Sequence, residues 1–123
     1  AASLEGILAQ RLLRTICPDC KAPYEPSEAI LTQLEVAPHE LGDKSFFTGK
    51  GCKSCADSGY KGRAGLYELL NVSDPIRELI IDRAPAVVIK QKAIELGMTT
   101  LREDGLRCIY EGRTTIEEVL KYT

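Results

Sequence analysis

Five cysteines are the side chains best suited to chemistry here, and four of them stand in two matching pairs. Cys17-Pro18-Asp19-Cys20 and Cys52-Lys53-Ser54-Cys55 read as C-x2-C, 31 intervening residues, then C-x2-C again. A C-x2-C pair lets two thiolates converge on one ion within a tight turn. Two such pairs complete the four-sulfur tetrahedron that Zn²⁺ accepts as a closed structural site. Pro18 restricts the first turn, and Gly51 and Gly59 bracket the second. Four thiolates leave no open coordination position, so the spacing points to a fastener and not to a catalytic metal. Iron in a rubredoxin-like site shares the geometry. Two disulfides with a spare thiol are the alternative for a secreted protein. The odd cysteine count, with no signal peptide visible, favours a reducing compartment and metal. A redox-active dithiol is less economical, because it leaves the second matching pair unexplained.

The other chemically capable residues have plainer readings. Cys108 follows the spacing of Leu101, Gly105 and Ile109 along one helix face, which predicts a buried, inert thiol. His39, the one histidine, lies in a polar loop with no Ser/His/Asp or Cys/His arrangement around it. From Lys44 to Arg63 the chain carries Lys44, Lys50, Lys53, Lys61 and Arg63 against Asp57 alone, a net +4. Such a cluster suits a nucleic acid or an acidic partner, and it equally offsets the formal −2 of a Zn(Cys)₄ centre. From Lys50 to Arg63, around the second knuckle, Tyr60 is the sole aromatic interleaved with it, so the nucleic-acid signal is weak. No G-x-x-x-x-G-K-[ST] loop is present, so nothing here cradles a nucleoside triphosphate.

The elements that must position the cysteines follow from pattern and punctuation. Leu4, Ile7 and Leu8 predict a short amphipathic helix over residues 3–10, and residues 11–16 a strand that delivers Cys17. Nothing caps that opening helix, which suggests a piece of something larger. Pro23 and Pro26 bound an extended stretch, and Ser27 caps a helix to about Leu34. Residues 36–49 read as irregular, and residues 66–72 as a strand. Helices follow. Ser73-Asp74-Pro75 opens the first, and residues 86–96 form the second, with Ile89, Ala93 and Leu96 on one face and Gly97 as its stop. Thr100-x-x-Glu103 and Thr115-x-x-Glu118 are capping boxes opening the third and fourth, and the last turns Ile116, Val119 and Leu120 inward. The expected fold is α+β, a small zinc-stapled lobe with short strands over 17–72 followed by a bundle of about four short helices over 73–123.

No apolar run approaches the roughly 20 residues that span a bilayer. The net charge of −2 gives no general attraction to nucleic acid or anionic lipid.

Several of these segments together resemble one family. Ala9-Gln10-Arg11-Leu12-x-Arg14 running into Cys17-x-x-Cys20 is similar to the end of the RecA-like core in type II secretion and type IV pilus assembly ATPases. Gly51-Cys52-x-x-Cys55 followed by Gly59-Tyr60-x-Gly62-Arg63-x-Gly65-x-Tyr67-Glu68 resembles the same family. So do residues 97–106, Gly-Met-x-Thr-Leu-Arg-Glu-Asp-Gly-Leu, and Thr115-x-x-Glu118-Val119-Leu120 near the end. The resemblance covers essentially the whole chain. It implies a cytoplasmic hexameric motor at the inner face of the bacterial inner membrane that uses ATP and Mg²⁺ to drive pilus or pseudopilus assembly. It also implies one zinc ion on Cys17, Cys20, Cys52 and Cys55. The phosphate loop and catalytic acidic residues of that family lie upstream, so no catalytic residue transfers. Residues 1–16 would be the end of the ATPase core. The partners implied are that core, neighbouring subunits of the hexamer, and inner-membrane platform proteins. The expected function is a non-catalytic, zinc-binding C-terminal module. The alternative is a free-standing zinc-ribbon-like binder of nucleic acid.

Overall fold

The computed structural model describes residues 6–36 and 45–123. Its backbone is a long antiparallel ribbon made by β1 (Gly6–Ile16) and β4 (Tyr60–Asn71). The register runs from Gly6 opposite Asn71 to Arg14 opposite Arg63, then shifts at a bulge so that Ile16 faces Tyr60. A second, shorter pair joins β2 (Lys21–Tyr24) to β3 (Phe46–Gly49), with Pro23 opposite Phe47. Helix α1 (Glu28–Gln33) lies between β2 and β3, its first turn capped by the Ser27 hydroxyl accepting from the Ile30 amide. Four helices complete the described residues: α2 (Asp74–Ile81), α3 (Ala86–Glu95), α4 (Leu101–Tyr110) and α5 (Ile116–Tyr122). The architecture is thus α+β, as expected.

Several expectations change, among them the strand expected over 66–72, which begins already at Tyr60. Residues 6–10 belong to β1 and not to a helix. Leu4, 37–44 and His39 lie outside the described residues. Three apolar positions cannot outweigh a partner strand sixty residues away, and tertiary pairing overrides so short a periodicity. Within the stretch expected to be irregular, residues 46–49 form β3, because Phe46 and Phe47 pair with β2 and Phe46 enters the core.

The main core gathers Leu13 of β1, Leu31 and Leu34 around α1, Phe46 of β3, Leu66 of β4, Cys108 and Ile109 of α4, and Ile116 and Val119 of α5. It therefore draws on both sides of residue 72. Gly105 lets α4 sit against α5 and β4, since a Cβ there would lie 2.6 Å from a Val119 methyl. A smaller cluster of Val72, Ile76 and Ala93, edged by Leu70, Ile80, Ile89 and Met98, holds α2 and α3. Leu96 stands just past the end of α3 and is half exposed, so it does not share the inward face of Ala93. The ribbon leaves Leu8, Leu12, Tyr67 and Leu69 exposed along one face.

Candidate metal centre

β1 ends at Ile16, and Cys17 follows at once, buried beneath the ribbon. The first knuckle, residues 17–20, turns the chain from β1 into β2. The second opens on Cys52, passes through a 3-10 turn at Lys53–Cys55, and leaves through left-handed Ala56 and Asp57 into β4. Backbone bonds lock the knuckles together. The Cys17 amide donates to the Gly59 carbonyl at 2.9 Å, and the Lys50 amide to the Cys20 carbonyl at 3.2 Å. Gly49 and Gly59 meet backbone to backbone. A Cβ on Gly49 would run into the Gly59 carbonyl, so neither position accepts a side chain.

The four cysteines singled out by their spacing converge. Their sulfurs all lie within 4.8 Å of one another. Cys17 and Cys52 Sγ are 3.8 Å apart, Cys20 and Cys55 3.8 Å, and Cys52 and Cys55 3.7 Å. A tetrahedral ion with metal–sulfur bonds of about 2.3 Å sets its sulfurs about 3.8 Å apart. The donor set thus fits a tetrathiolate metal, zinc or iron alike. All five cysteines are free thiols. Cys17 and Cys55 are buried, while Cys20 and Cys52 are half-buried.

Backbone amides point at the sulfurs. Gly51 N donates to Cys20 Sγ at 3.3 Å, Cys52 N to Cys55 Sγ at 3.3 Å, and Gly59 N to Cys55 Sγ at 3.2 Å. Burial pushes the Cys20 thiol up to about 12. Burial acts the same way on Cys55, but the Gly59 and Cys52 amides and the neighbouring thiols outweigh it and bring it down to about 6. Four adjacent thiolates repel one another, and a divalent cation among them reverses that cost.

Cys108 is fully buried in the main core, away from this cluster, and burial raises its thiol. Of the basic cluster, Lys44 lies outside the described residues. Lys61 Nζ donates to Ser54 Oγ within the second knuckle at 2.9 Å.

Sequence reasoning missed Glu118. In place of returning to the Thr115 amide as a capping box would have it, its carboxylate accepts from Arg14 N at 2.9 Å, Nε at 3.1 Å and Nη2 at 2.7 Å. The other half of the motif holds, with the Glu118 amide donating to Thr115 Oγ1 at 3.1 Å. Glu118 is fully buried, and burial alone would raise its carboxyl, yet the Arg14 hydrogen bonds bring it below the ordinary value. Nothing in a Thr-x-x-Glu pattern separates a cap from a buried ion-pair partner.

Residues 1–121 match the family described as type II/IV secretion system protein. Among known proteins, the chain is similar to the type IV pilus assembly ATPase PilB of Myxococcus xanthus, 46% identical over 99% of this chain and 22% of that protein. It is 43% identical to the PilB of Thermus thermophilus, over the whole chain and 14% of that protein. It is 40% identical to type II secretion system protein E of Pseudomonas aeruginosa, over the whole chain and 24% of that protein. The chain thus spans less than a quarter of the length of these relatives.

Proposed function

Since the chain belongs to the type II/IV secretion system protein family, we propose that it is a zinc-binding structural and interaction module of a secretion or pilus assembly ATPase, non-catalytic by itself. The observation that carries this reading is the tetracysteine cluster, whose 3.7–3.8 Å sulfur spacings suit one Zn²⁺ held by Cys17, Cys20, Cys52 and Cys55. When bound, zinc supplies a closed structural cross-link between two segments separated by 31 residues. It adds no reactive position, and its binding free energy becomes folding free energy.

ATP and Mg²⁺ would be bound elsewhere in the parent protein, because this chain has no phosphate loop. Residues 1–16 would close the ATPase core, 17–72 would form the tetracysteine lobe, and 73–123 the helical lobe, with the main core joining the last two. Two features support a bracing role. β1 runs from Gly6 to Ile16, bulged only near its end, and meets the first metal ligand directly, so a load on the strand reaches the metal with no flexible linker. The exposed strip of Leu8, Leu12, Tyr67 and Leu69 offers apolar area to the rest of the parent. Neighbouring subunits of a hexamer and inner-membrane platform proteins are the further partners, and the cytoplasmic side of the membrane is the place. No helix among the described residues is long and apolar enough to cross a bilayer.

The nucleic-acid alternative gains little from Tyr60 as an aromatic platform. The Tyr60 ring lies under the Arg14 guanidinium, 4.1 Å from its centroid, and its hydroxyl is bonded to Thr115. Elemental analysis with thiol counting on the native chain tests the central reading. One zinc per chain is expected, with no readily titrated thiol in the native chain and five once it is unfolded and the metal chelated. A metal-free chain would sink it.

A further inference from the structure

The first turn of α5 touches both arms of the metal centre. From one side, the Glu118 carboxylate takes three hydrogen bonds from Arg14, three residues before Cys17. From the other, Thr115 Oγ1 lies 2.8 Å from the Tyr60 hydroxyl. Tyr60 is next to Gly59, whose amide donates to Cys55 Sγ and whose carbonyl accepts from Cys17 N. Arg14 stacks on Tyr60 and closes the circuit. The turn before α5 adds backbone anchors, with Thr114 Oγ1 donating to the Arg14 carbonyl at 2.8 Å and Ile16 N donating to the Arg113 carbonyl at 2.9 Å. Residues 113–118 thus grip the strand entering the first knuckle and the strand leaving the second. None of them is a metal ligand.

We propose that the first turn of α5 is a clamp that sets the two knuckles in register for metal, with Glu118 and Tyr60 as positioning residues. The physical argument is preorganisation. Two thiolate pairs on separate segments bind one ion tightly only if their spacing is set beforehand, and outer partners that fix ligand geometry typically carry 10–100-fold in metal affinity. The coupling is reciprocal, so metal must also tighten the clamp. This rests on the metal reading proposed above.

The test is competition for Zn²⁺ between the chain and a chromophoric chelator. Glu118→Ala is expected to weaken affinity about tenfold or more. Because that variant leaves the Arg14 guanidinium without its carboxylate and risks misfolding, Glu118→Gln and Tyr60→Phe serve as milder versions, each expected to weaken affinity several-fold. Their combination should fall short of the product of the two, since they act on one clamp. Ile76→Val, in the separate α2–α3 cluster, lowers stability without touching the clamp and should leave affinity unchanged. Removing zinc should speed amide exchange over 113–118 ahead of 74–95. A folded Tyr60→Phe and Glu118→Gln with wild-type affinity would overturn the clamp while leaving the metal reading intact. So would an equal loss in Ile76→Val, which would reduce the effect to general stability. A wild-type chain that takes up no zinc would overturn both.

Discussion

The half of the molecule around the cysteines and the α2–α3 pair are held by different physics. The first combines a large apolar core with directional contacts: amides on sulfurs, Glu118 on Arg14, and Thr115 on Tyr60. The second rests on three buried residues and their half-buried neighbours, and it exposes Ile81, Val87, Ile94 and Leu96. Directional contacts fix geometry as well as adding stability, whereas a small apolar cluster tolerates sliding. Precision is concentrated where four cysteine sulfurs converge, and it relaxes where a helix pair only needs to stay attached.

The largest effect that separates the regions should come from the metal. Cys52→Ser, or strong chelation, removes a binding energy that for structural zinc reaches roughly 10–16 kcal/mol apparent. Amide exchange should then rise over the knuckles, the β1–β4 ribbon, α4 and α5 together, because these share one core. The α2–α3 pair should keep much of its helical protection. Equal loss across both regions would show that the smaller cluster has no independent stability, and the contrast would collapse.

Next in size is Glu118→Ala, expected to cost about 3 kcal/mol. That is the low end for a buried ion pair losing one partner, because the Arg14 side chain is 49% exposed. Its pH dependence gives a sharper signature. The Glu118 carboxyl lies below its ordinary value of 4.5 in the folded chain, so on acidification the unfolded state takes up its proton first. The carboxylate's contribution is therefore complete above about pH 4.5 and is lost as pH falls through the lower folded value. The stability gap between wild type and Glu118→Gln, from denaturant melts, should be full near neutrality and narrow steadily below that pH. Acid-driven metal loss differs between the two chains if Glu118 positions the cysteines, so metal release is followed in the same titration and its share is subtracted. A gap independent of pH would mean that shape and not charge holds α5 in place.

What was legible in the sequence divides along the same line. The four clustered cysteines could be read because a C-x2-C knuckle is local, and its chemistry is written within four residues. The caps at Ser27, Thr100 and Thr115 were legible for the same reason. The first half of β1 was not, since its strand character comes from partners such as Leu69 and Leu70, which no local window contains. β3 was hidden likewise by its reliance on β2. Glu118 was the deepest miss. Its spacing from Thr115 fits a cap, and only the fold reveals Arg14, 104 positions away.

A smaller effect probes the packing of the metal-side core. Gly105 sits inside α4, where alanine would gain about 1 kcal/mol on helix propensity alone. The added methyl would stand 2.6 Å from Val119 Cγ1 and 3.4 Å from Leu66 Cδ1. Overpacking of a tight core costs about 1–3 kcal/mol, so the clash should win and Gly105→Ala should destabilise by about 1 kcal/mol. Thermal melts of Gly105→Ala with and without Val119→Ala check the cause, because emptying that site should let alanine show its helical advantage. An unchanged penalty in the double variant would place the strain elsewhere.

The smallest contrast compares two helix starts with similar sequences. Thr100 opens α4 with its hydroxyl accepting from the Glu103 amide at 3.1 Å, whereas Ser73 before α2 makes no such bond. Both stand at positions where Ser and Thr are favoured, and pattern alone would score them alike. A side-chain cap is worth about 1 kcal/mol, so Thr100→Ala should lower stability by about that amount in denaturant melts. Ser73→Ala should cost only a few tenths at most, because Pro75 already lacks one of the amide donors a cap would serve and no hydroxyl bond is lost. Thr100 also sits beside Leu101, whose amide donates to Glu68 of β4 at 2.9 Å, so fraying there loosens the tie between α4 and the ribbon. The loss in Thr100→Ala should therefore appear as faster amide exchange at the start of α4 and along β4. In Ser73→Ala, exchange in α2 should stay at its wild-type rate. Equal penalties for the two substitutions would mean that Ser73 forms its cap in solution, and the two helix starts would then belong to one class.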